Sequence, residues 1–419
     1  MRSLLSVGPP LSKVPSKPLV LVLGANMGAG HQQVGRELAR RLAGFGVAAK
    51  LVDMGDLLPP GWGRALTGFY KFMAYRAQGL YEATFRLQMS TKPGSLPVVF
   101  PLDVLAERRL SGLVERERPS LVVSTFHLSS QVAGGMREAG KLDVPLASMV
   151  LDFFVHGMWV HPGVDAHLLV HRCQVPQVVE RGGRRPIVCG PLIRPAFDLT
   201  QPGWDRAAAR SSLGLLEHEL CVLVVGGSWG VGRVAETFAL VAADERFSPM
   251  AVAGRNPALE RSLSEARRAA GRGRVFGWVE DMGRLMAAAD VAVENGCGVT
   301  AMEAMARGVP VVTYAPIAGH GRANAIAMAE AGITAYARSP SELLSRLDEL
   351  AHDTPARRRT VGEARSMFGA DPAAAVASWA LSGTVDLPGT DGQATQPAGE
   401  GTGRAAAPTE ADRIARGTN

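Results

Sequence analysis

Short apolar runs recur along this chain and constrain its fold more than any other feature. In the first half they are PLVLVLGA, PSLVVSTF, VPLASMVLDF, AHLLVH and RPIVCG, each followed by a turn or a helix-periodic segment. Strands that are apolar on both faces and alternate with helices are typical of a parallel sheet covered by helices. The sequence therefore predicts an α/β fold.

The same pattern begins again after a proline-rich connector, GPLIRPAFDLTQPGW, with ELCVLVVGGS, SPMAVAGR, GRVFGWV, ADVAVEN and VPVVTYA. A chain of 419 residues is also too long for one ordinary core. The end of the chain is rich in Gly, Ala, Thr and Pro, a composition that cannot offset the entropy of ordering. We predict a flexible segment, two α/β domains, a terminal helix and a disordered tail, over residues 1–17, 18–198, 199–366, 367–384 and 385–419.

Composition argues against several classes of protein. The formal net charge of +6 is modest and is not concentrated in a Lys/Arg run, so nucleic-acid binding is not expected. The four cysteines have neither metal-ligand nor disulfide spacing, which favours a reducing cytoplasm. Because no uninterrupted apolar stretch of about 18 residues occurs, the sequence predicts neither a signal peptide nor a membrane span.

The first strand ends in a glycine-rich turn, GANMGAGH, that leads into an amphipathic helix. Gly28 and Gly30 allow a tight turn and expose backbone N–H groups at the positive end of the helix, but their spacing does not fit a dinucleotide fingerprint. At the helix entry the dipole opposes protonation of His31, which favours a neutral imidazole that can act as a general base. A capping or packing role is the alternative for His31.

Two further glycine-rich turns, VLVVGGSWGVGR and NGCGVT, precede helices in the second half. Their N–H groups suit a phosphate, and Glu303, one helical turn after Thr300, can accept ribose hydroxyls. These features together suit a nucleotide. The alternative for Glu303 is a solvent-facing carboxylate that the helix dipole stabilises.

Asp152, His156, His161, Asp165 and His167 lie close together in LDFFVHGMWVHPGVDAH. The compact two-histidine spacing of metal-binding helices is missing, and no cysteine joins the group. We therefore expect a polar rim that faces a cleft, without a metal.

Aromatic and basic side chains are interleaved in the segment between PLVLVLGA and PSLVVSTF. They are Trp62, Phe69, Tyr70, Phe72, Tyr75, Tyr81 and Phe85, with Arg64, Lys71, Arg76, Arg86 and Lys92. One interpretation is a helical hairpin whose aromatics pack on the domain. The other is an interfacial segment that inserts aromatics among lipid headgroups.

The order of these motifs resembles the family of monogalactosyldiacylglycerol synthases and processive diacylglycerol glucosyltransferases, and more distantly the lipid II N-acetylglucosaminyltransferase. The collinear motifs are GANMGAGH, LDFFVHGMWVHPGVD, VCGPLIRPAF, VLVVGGSWG, GWVEDMGRLMAAADVAVENGCGVTAMEAMARGVPVV and GHGRANA. The resemblance implies the GT-B architecture, in which two Rossmann-like domains face each other across a cleft. The first domain would bind the acceptor and the second a UDP-sugar.

The resemblance also implies site residues on both sides of the cleft. It gives catalytic roles to His31 and Asp152 and puts Gly28, Gly30, His156 and Trp159 on the acceptor side. The nucleotide-sugar residues that it implies are Arg194, Gly226, Gly227, Ser228, Val279, Gly298, Val299, Thr300, Glu303, His320 and Asn324. Two departures stand out: Asn26 replaces an aspartate, and His320 with Gly321 replaces a Gln-Glu pair that normally contacts the donor sugar.

The implied function is inverting transfer of a hexose from a UDP-sugar to a lipid acceptor such as diacylglycerol. The resemblance implies no metal and no other cofactor, and it favours the interfacial interpretation of the aromatic-basic segment. It implies a cytoplasmic enzyme that associates peripherally with the inner face of the cell membrane, in contact with anionic lipid. Two alternatives stay open: a soluble natural product as acceptor, and a catalytically silent protein that binds nucleotide sugars.

Overall fold

The computed structural model describes residues 17–26, 29–90, 100–197 and 205–383. Two six-stranded sheets, with all of their strand pairs parallel, form its centre. The first sheet has the order β2-β1-β3-β4-β5-β6 and consists of β1 Leu19–Gly24, β2 Ala48–Asp53, β3 Leu121–Ser124, β4 Leu146–Val150, β5 Ala166–Leu169 and β6 Pro186–Val188. The second has the order β12-β11-β10-β7-β8-β9 and consists of β7 Leu220–Val225, β8 Phe247–Val252, β9 Arg274–Phe276, β10 Val291–Glu294, β11 Val311–Tyr314 and β12 Ala335–Ala337.

Helices follow most strands and cover both faces of each sheet. Those before β7 are α1 Ala29–Gly44, α2 Met54–Leu57, α3 Trp62–Arg76, α4 Gln78–Ser90, α5 Phe100–Glu117, α6 His127–Glu138 and α7 Gln174–Glu180, with α8 Arg206–Ser212 at the start of the second unit. The remaining helices are α9 Val234–Ala242, α10 Pro257–Ala270, α11 Met282–Ala288, α12 Val299–Ala306, α13 His320–Glu330, α14 Pro340–Ala351, α15 Pro355–Ser366 and α16 Pro372–Ser382.

Most of the apolar runs become strands that are buried on both faces, as the sequence predicts, whereas the edge strands β6 and β9 are only partly buried. Along β1, Leu21 and Leu23 join one hydrophobic core, whereas Val20 and Val22 join the core on the opposite face. Since side chains alternate across a strand, a run without polar residues can be buried only between two layers. The α/β fold predicted from these runs is confirmed.

The last described helix returns to the first domain. Asp371 caps α16 by accepting a hydrogen bond from Ala373 N at 2.9 Å, and Gly383 ends the helix with φ of 75°. Trp379 packs into the core that contains Leu38 of α1. The terminal helix predicted over 367–384 therefore begins at Pro372, after a short 3₁₀ turn at Met367–Gly369.

The domain boundaries stay predictions, although the division at residue 199 falls between β6 and β7. The predicted flexible segment, apart from Lys17, and the predicted tail lie outside the described residues. No helix in the part of the chain that the structure describes is both long and apolar enough to cross a bilayer.

Helices α3 and α4 form a hairpin, called the aromatic hairpin below, and they divide their aromatics between two surroundings. Phe85 is buried, and Tyr70 and Tyr81 line a cavity. Trp62, Phe69, Phe72 and Tyr75 are 42% to 55% exposed. Each of the two interpretations of this segment therefore describes some of its side chains.

Candidate active site

The carboxyl ends of both sheets face one cleft, which contains two adjoining cavities. The histidine cavity, of about 240 Å³, is lined by His31, His127, His156 and His320 together with Asp152. The glycine cavity, of about 290 Å³, is lined by the glycine-rich loops after β7 and β10. Trp229, Val231 and Ile317 line both cavities. Such an edge is where open α/β sheets bind ligands.

His31 stands in the first turn of α1, and one hydrogen bond fixes its tautomer. Its Nδ1 lies 2.7 Å from the carbonyl oxygen of Thr125. Because a carbonyl only accepts, Nδ1 carries the proton and Nε2 keeps a lone pair. Burial lowers the pKa of His31, and the charge of Asp152 and the bond to Thr125 oppose this shift only in part. Near neutral pH the imidazole is therefore an uncharged proton acceptor.

Asp152 follows β4 and is held from three directions. Trp159 donates from Nε1 to Oδ2 at 2.8 Å, Asn324 donates from Nδ2 to Oδ1 at 2.8 Å, and His156 Nε2 lies 3.6 Å from Oδ2. Burial by itself would raise the pKa of Asp152, but His156, His320 and the bond from Trp159 lower it well below its ordinary range. A carboxylate that stays ionised is a weak base, so the geometry favours His31 as the proton acceptor.

Two further histidines of this cavity are neutral as well. Burial lowers the pKa of both His127 and His320. His127 Nε2 and His156 Nδ1 are buried without a hydrogen-bond partner, and both belong to residues that line the cavity. Among the described residues, no group of three His, Cys, Asp or Glu side chains is arranged to hold a metal ion.

Most of the predicted nucleotide-sugar residues come together around the glycine cavity. Those that line it are Arg194, Gly226, Gly227, Ser228, Val279, Gly298, Val299, Thr300 and Glu303. Gly30 lines it as well, and a Cβ at Gly30 would lie 3.5 Å from Val299 Cγ2, so the N-termini of α1 and α12 approach closely. The N-terminus of α12, which has no side-chain cap, lies at this cavity with the positive end of the helix dipole.

Glu303 is buried and already has partners from the first half of the chain. Arg194 donates from Nε to Oε1 at 2.7 Å and from Nη2 to Oε2 at 2.9 Å, and Gln33 donates to Oε1 at 2.6 Å. The alternative of a solvent-facing carboxylate is therefore wrong, because the Glu303 side chain is only 2% exposed. Gln33 was not predicted; its spacing of three from Gly30, on one face of α1, was the available signal.

Glu294, at the end of β10, was also not predicted and organises the NGCG loop. Its carboxylate accepts hydrogen bonds from Gly296 N at 2.7 Å, from Cys297 N at 2.5 Å and from Thr313 Oγ1 at 2.6 Å. These bonds hold Cys297 at a φ of 51°. The loop that precedes α12 is therefore fixed before any ligand binds.

His161, Asp165 and His167 of the predicted polar rim line neither cavity, because they bond to Gly163, Arg137 and Arg184 instead.

Three of the site residues that the resemblance implies also lie elsewhere. Asn324 lines neither cavity; it is buried and bridges the two domains, donating to Asp152 and accepting from Phe154 N at 2.7 Å. Trp159 is fully buried beneath the histidine cavity, where it donates to Asp152 and its ring lies against the ring of His127 at a centroid distance of 5.7 Å. Gly28 lies outside the described residues.

Two models of known families match this chain, one over each of the two domains that form the site. Residues 31–189 match the family model of monogalactosyldiacylglycerol (MGDG) synthase, and residues 221–353 match the model of glycosyl transferases group 1. The chain is a glycosyltransferase. The first match begins at His31 and includes Asp152, and the second includes the loops of the glycine cavity.

Curated relatives of this glycosyltransferase align with most of its length. It is 25% identical over 364 residues to the processive diacylglycerol beta-glucosyltransferase of Bacillus mycoides, an alignment that covers 85% of this chain and 91% of the relative. The enzyme of the same description from Bacillus cereus, strain ATCC 14579, is 25% identical over 344 residues, with 80% and 86% covered. The predicted resemblance is confirmed.

Solved structures share the fold of the glycosyltransferase. MurG from Acinetobacter baumannii aligns with a TM-score of 0.53 and 16% identity, over 88% of this chain and 100% of the other. Os79 from O. sativa, solved in complex with U2F and trichothecene, aligns with a TM-score of 0.57 and 16% identity, over 87% and 100%. The predicted GT-B architecture is confirmed.

Proposed function

We propose that this glycosyltransferase moves a hexose from a UDP-sugar to a lipid acceptor such as diacylglycerol, with inversion at the anomeric carbon. The main support for the proposal is that the two cavities adjoin and share lining residues. One cavity offers a neutral histidine beside an ionised carboxylate, and the other offers helix N-termini, an arginine and a buried glutamate. The relatives in Bacillus, which are named as diacylglycerol glucosyltransferases, support this choice of acceptor.

On the donor side, the proposal assigns the UDP group to the glycine cavity. The diphosphate would accept hydrogen bonds from the α12 N-terminus and from Arg194, and the ribose hydroxyls would donate to Glu303. The backbone at Val279 would contact the uracil. Charge that grows on UDP as it leaves is then stabilised by dipoles and a cation that are already in place.

In the proposed reaction, Nε2 of His31 accepts the proton of the acceptor hydroxyl. The acceptor oxygen bonds to the anomeric carbon as the bond from that carbon to the diphosphate breaks on the opposite face, and UDP leaves with the bonding electrons. The ionised Asp152 stabilises the imidazolium that forms. The neutral acceptor state of His31 supports this assignment.

The aromatic hairpin supports a lipid acceptor. Its exposed Trp62, Phe69 and Phe72 suit the headgroup region, and Arg64 and Lys71 suit anionic lipid. The hairpin also lines the histidine cavity through Tyr81 and Phe85, so one element would contact both the bilayer and the reaction site. We propose peripheral binding to the inner face of the cell membrane.

Product analysis tests the proposal. Purified protein is incubated with UDP-glucose, UDP-galactose or UDP-N-acetylglucosamine and phosphatidylglycerol vesicles, with or without dioleoylglycerol. We expect a glycosylated diacylglycerol by mass spectrometry, with a β-anomeric proton by NMR, from one of these donors. Tight UDP binding without turnover would instead identify a silent nucleotide-sugar-binding protein. Transfer to soluble aglycones alone would overturn the lipid assignment.

A further inference from the structure

The aromatic hairpin contacts the second domain at the loop that precedes α13. Tyr81 Oη lies 2.7 Å from His320 Nδ1, and the next residue, Glu82, accepts a hydrogen bond at 2.6 Å from Gly319 N. Two consecutive residues of α4 therefore bind, across the cleft, the last residue of the loop and the first residue of α13. His320 was among the residues implied by the resemblance, but its contact with the aromatic hairpin was not predicted.

The packing under these bonds leaves the loop little freedom. Gly319 has a φ of 70°, and a Cβ at this position would lie 3.0 Å from the Cβ of Phe85. The His320 ring contacts the Tyr81 ring at a centroid distance of 5.6 Å in an edge-to-face arrangement. The hairpin is also tied to the loop after β7, where Lys71 lies over the Trp229 ring and Tyr75 donates to the Trp229 carbonyl oxygen.

The Tyr81–His320 bond has two possible directions, and the surroundings favour one. Burial raises the pKa of the Tyr81 phenol, so it keeps its proton, and burial lowers the pKa of His320, so its ring has one N–H only. If Tyr81 donates to Nδ1, that N–H is at Nε2. Among the described residues, His320 Nδ1 is the hydrogen-bond partner of Tyr81 Oη, so donation by Tyr81 gives the phenol proton an acceptor, whereas donation by Nδ1 would leave that proton without one.

We propose that Tyr81 and Glu82 are positioning residues for the donor sugar: Tyr81 fixes His320 as an Nε2–H donor to a sugar hydroxyl, and Glu82 fixes the loop backbone. This inference rests on the sugar transfer proposed above and deepens it. His320 and His31 then have opposite tautomers in one cavity. His31 offers a lone pair to the acceptor hydroxyl, and His320 offers a proton to the hexose.

Kinetics with UDP-glucose and dioleoylglycerol test the role of Tyr81. We expect Tyr81→Phe to raise the KM for the UDP-sugar about fivefold, the effect of one neutral hydrogen bond, while the Kd for UDP is unchanged because UDP lacks the hexose. Tyr336→Phe, the same chemical change in β12, serves as the matched control and should leave both constants unchanged. Equal weakening of UDP and UDP-glucose in Tyr81→Phe would overturn the proposal.

A second background separates positioning from packing. His320→Gln supplies an amide N–H that needs no tautomer to be fixed. Tyr81→Phe should therefore raise the KM for UDP-glucose about fivefold when residue 320 is histidine. In the His320→Gln background the same substitution should raise this KM less than about twofold. The same cost in both backgrounds would show that Tyr81 acts only through packing. Glu82→Gln, which keeps the side-chain shape, should raise the KM for UDP-glucose and leave UDP binding intact.

The tautomer itself can be measured without turnover. Long-range proton–nitrogen correlation spectra of the full chain labelled with ¹⁵N-histidine report which ring nitrogen is protonated, and His320→Gln identifies the signals. We expect His320 protonated at Nε2 and a shift towards a mixture of tautomers in Tyr81→Phe. A proton on Nδ1 in the unmutated protein would overturn the inference. Because this measurement needs no activity, a failure of the proposed function would be distinguishable from a failure of this one.

Discussion

At the scale of single residues, the site gives charge stabilisation to a carboxylate and proton acceptance to a histidine. Asp152 accepts hydrogen bonds from Trp159 and Asn324 and remains ionised, whereas His31 remains neutral. A group with a very low pKa holds charge well and takes up protons poorly. The side chain that stabilises charge and the one that receives the proton are therefore different residues.

Removal of the imidazole should affect turnover and spare donor binding. We expect His31→Ala to lower kcat by about 10²- to 10⁴-fold, because the acceptor hydroxyl loses its proton acceptor. The UDP Kd from calorimetry should be unchanged, since UDP is assigned to the glycine cavity. His352→Ala, an exposed histidine outside both cavities, is the matched control. Full activity in His31→Ala would contradict the role of His31 as base.

The acid side of the pH profile should follow the pKa of His31. Below that pKa the imidazolium has no lone pair, so kcat/KM falls as the pH decreases through it. Because burial holds the pKa below its ordinary value of 6.5, activity should persist at pH 6.5 and be lost only at lower pH. Asp152→Asn removes a charge that raises this pKa, so the acid limb should move to still lower pH. A shift of the limb to higher pH would contradict this coupling.

At the scale of elements, the aromatic hairpin combines surfaces of opposite character. One side has exposed aromatics and bases, and the other has Phe85, Tyr81 and Glu82 against the second domain. An isolated helical hairpin of this length would be marginal in water, so the packed side provides the rigidity with which the exposed side is presented. Membrane contact and loop position are therefore properties of the same element.

The exposed side of the hairpin should determine binding to vesicles. We expect Trp62→Ser combined with Phe72→Ser to weaken partitioning onto phosphatidylglycerol vesicles at least about tenfold in a sedimentation assay, because apolar area that would enter the interface is lost. Turnover of a short-chain diacylglycerol in solution should change little. Leu216→Ala, an equally exposed apolar residue in the second domain, is the control. Unchanged partitioning of the double variant would contradict interfacial binding.

At the scale of the whole molecule, the last described helix, α16, closes the core of the first domain. Trp379 is buried against α1, and Arg41 of α1 forms an ion pair with Asp371 at 3.1 Å. The chain therefore passes from the first domain to the second before β7 and returns to the first after β12. Asp152–Asn324 and Gln33–Glu303 add contacts across the cleft.

This return crossing should be visible in stability. We expect Trp379→Ala to lower the free energy of unfolding of the first domain by about 3–5 kcal/mol, because a large buried side chain leaves a cavity. Urea denaturation followed by circular dichroism measures it. Leu381→Ala, two residues later in the same helix and 59% exposed, should change stability by less than about 0.5 kcal/mol. Equal effects of the two variants would contradict the packing of α16.

The parts of this molecule that are local in sequence could be predicted, and the parts that join distant segments could not. Apolar runs define the strands, and glycine turns followed by helices locate His31 and Thr300, because each signal lies within a few residues. The local patterns around Gln33 and Tyr81 do not indicate which residues these side chains contact. Gln33 contacts Glu303, 270 positions away, and Tyr81 contacts His320, 239 positions away, so only the packed domains reveal them.

The return of α16 also has a consequence for synthesis of the chain on the ribosome. The apolar face of α1 receives Trp379 only after the whole second sheet has been translated. Until then the nascent first domain exposes part of its core, and a chain arrested before Pro372 would offer that face to chaperones or to aggregation. The second domain must therefore be synthesised, and the segment after it must stay unpacked, before α16 can complete the core of the first domain.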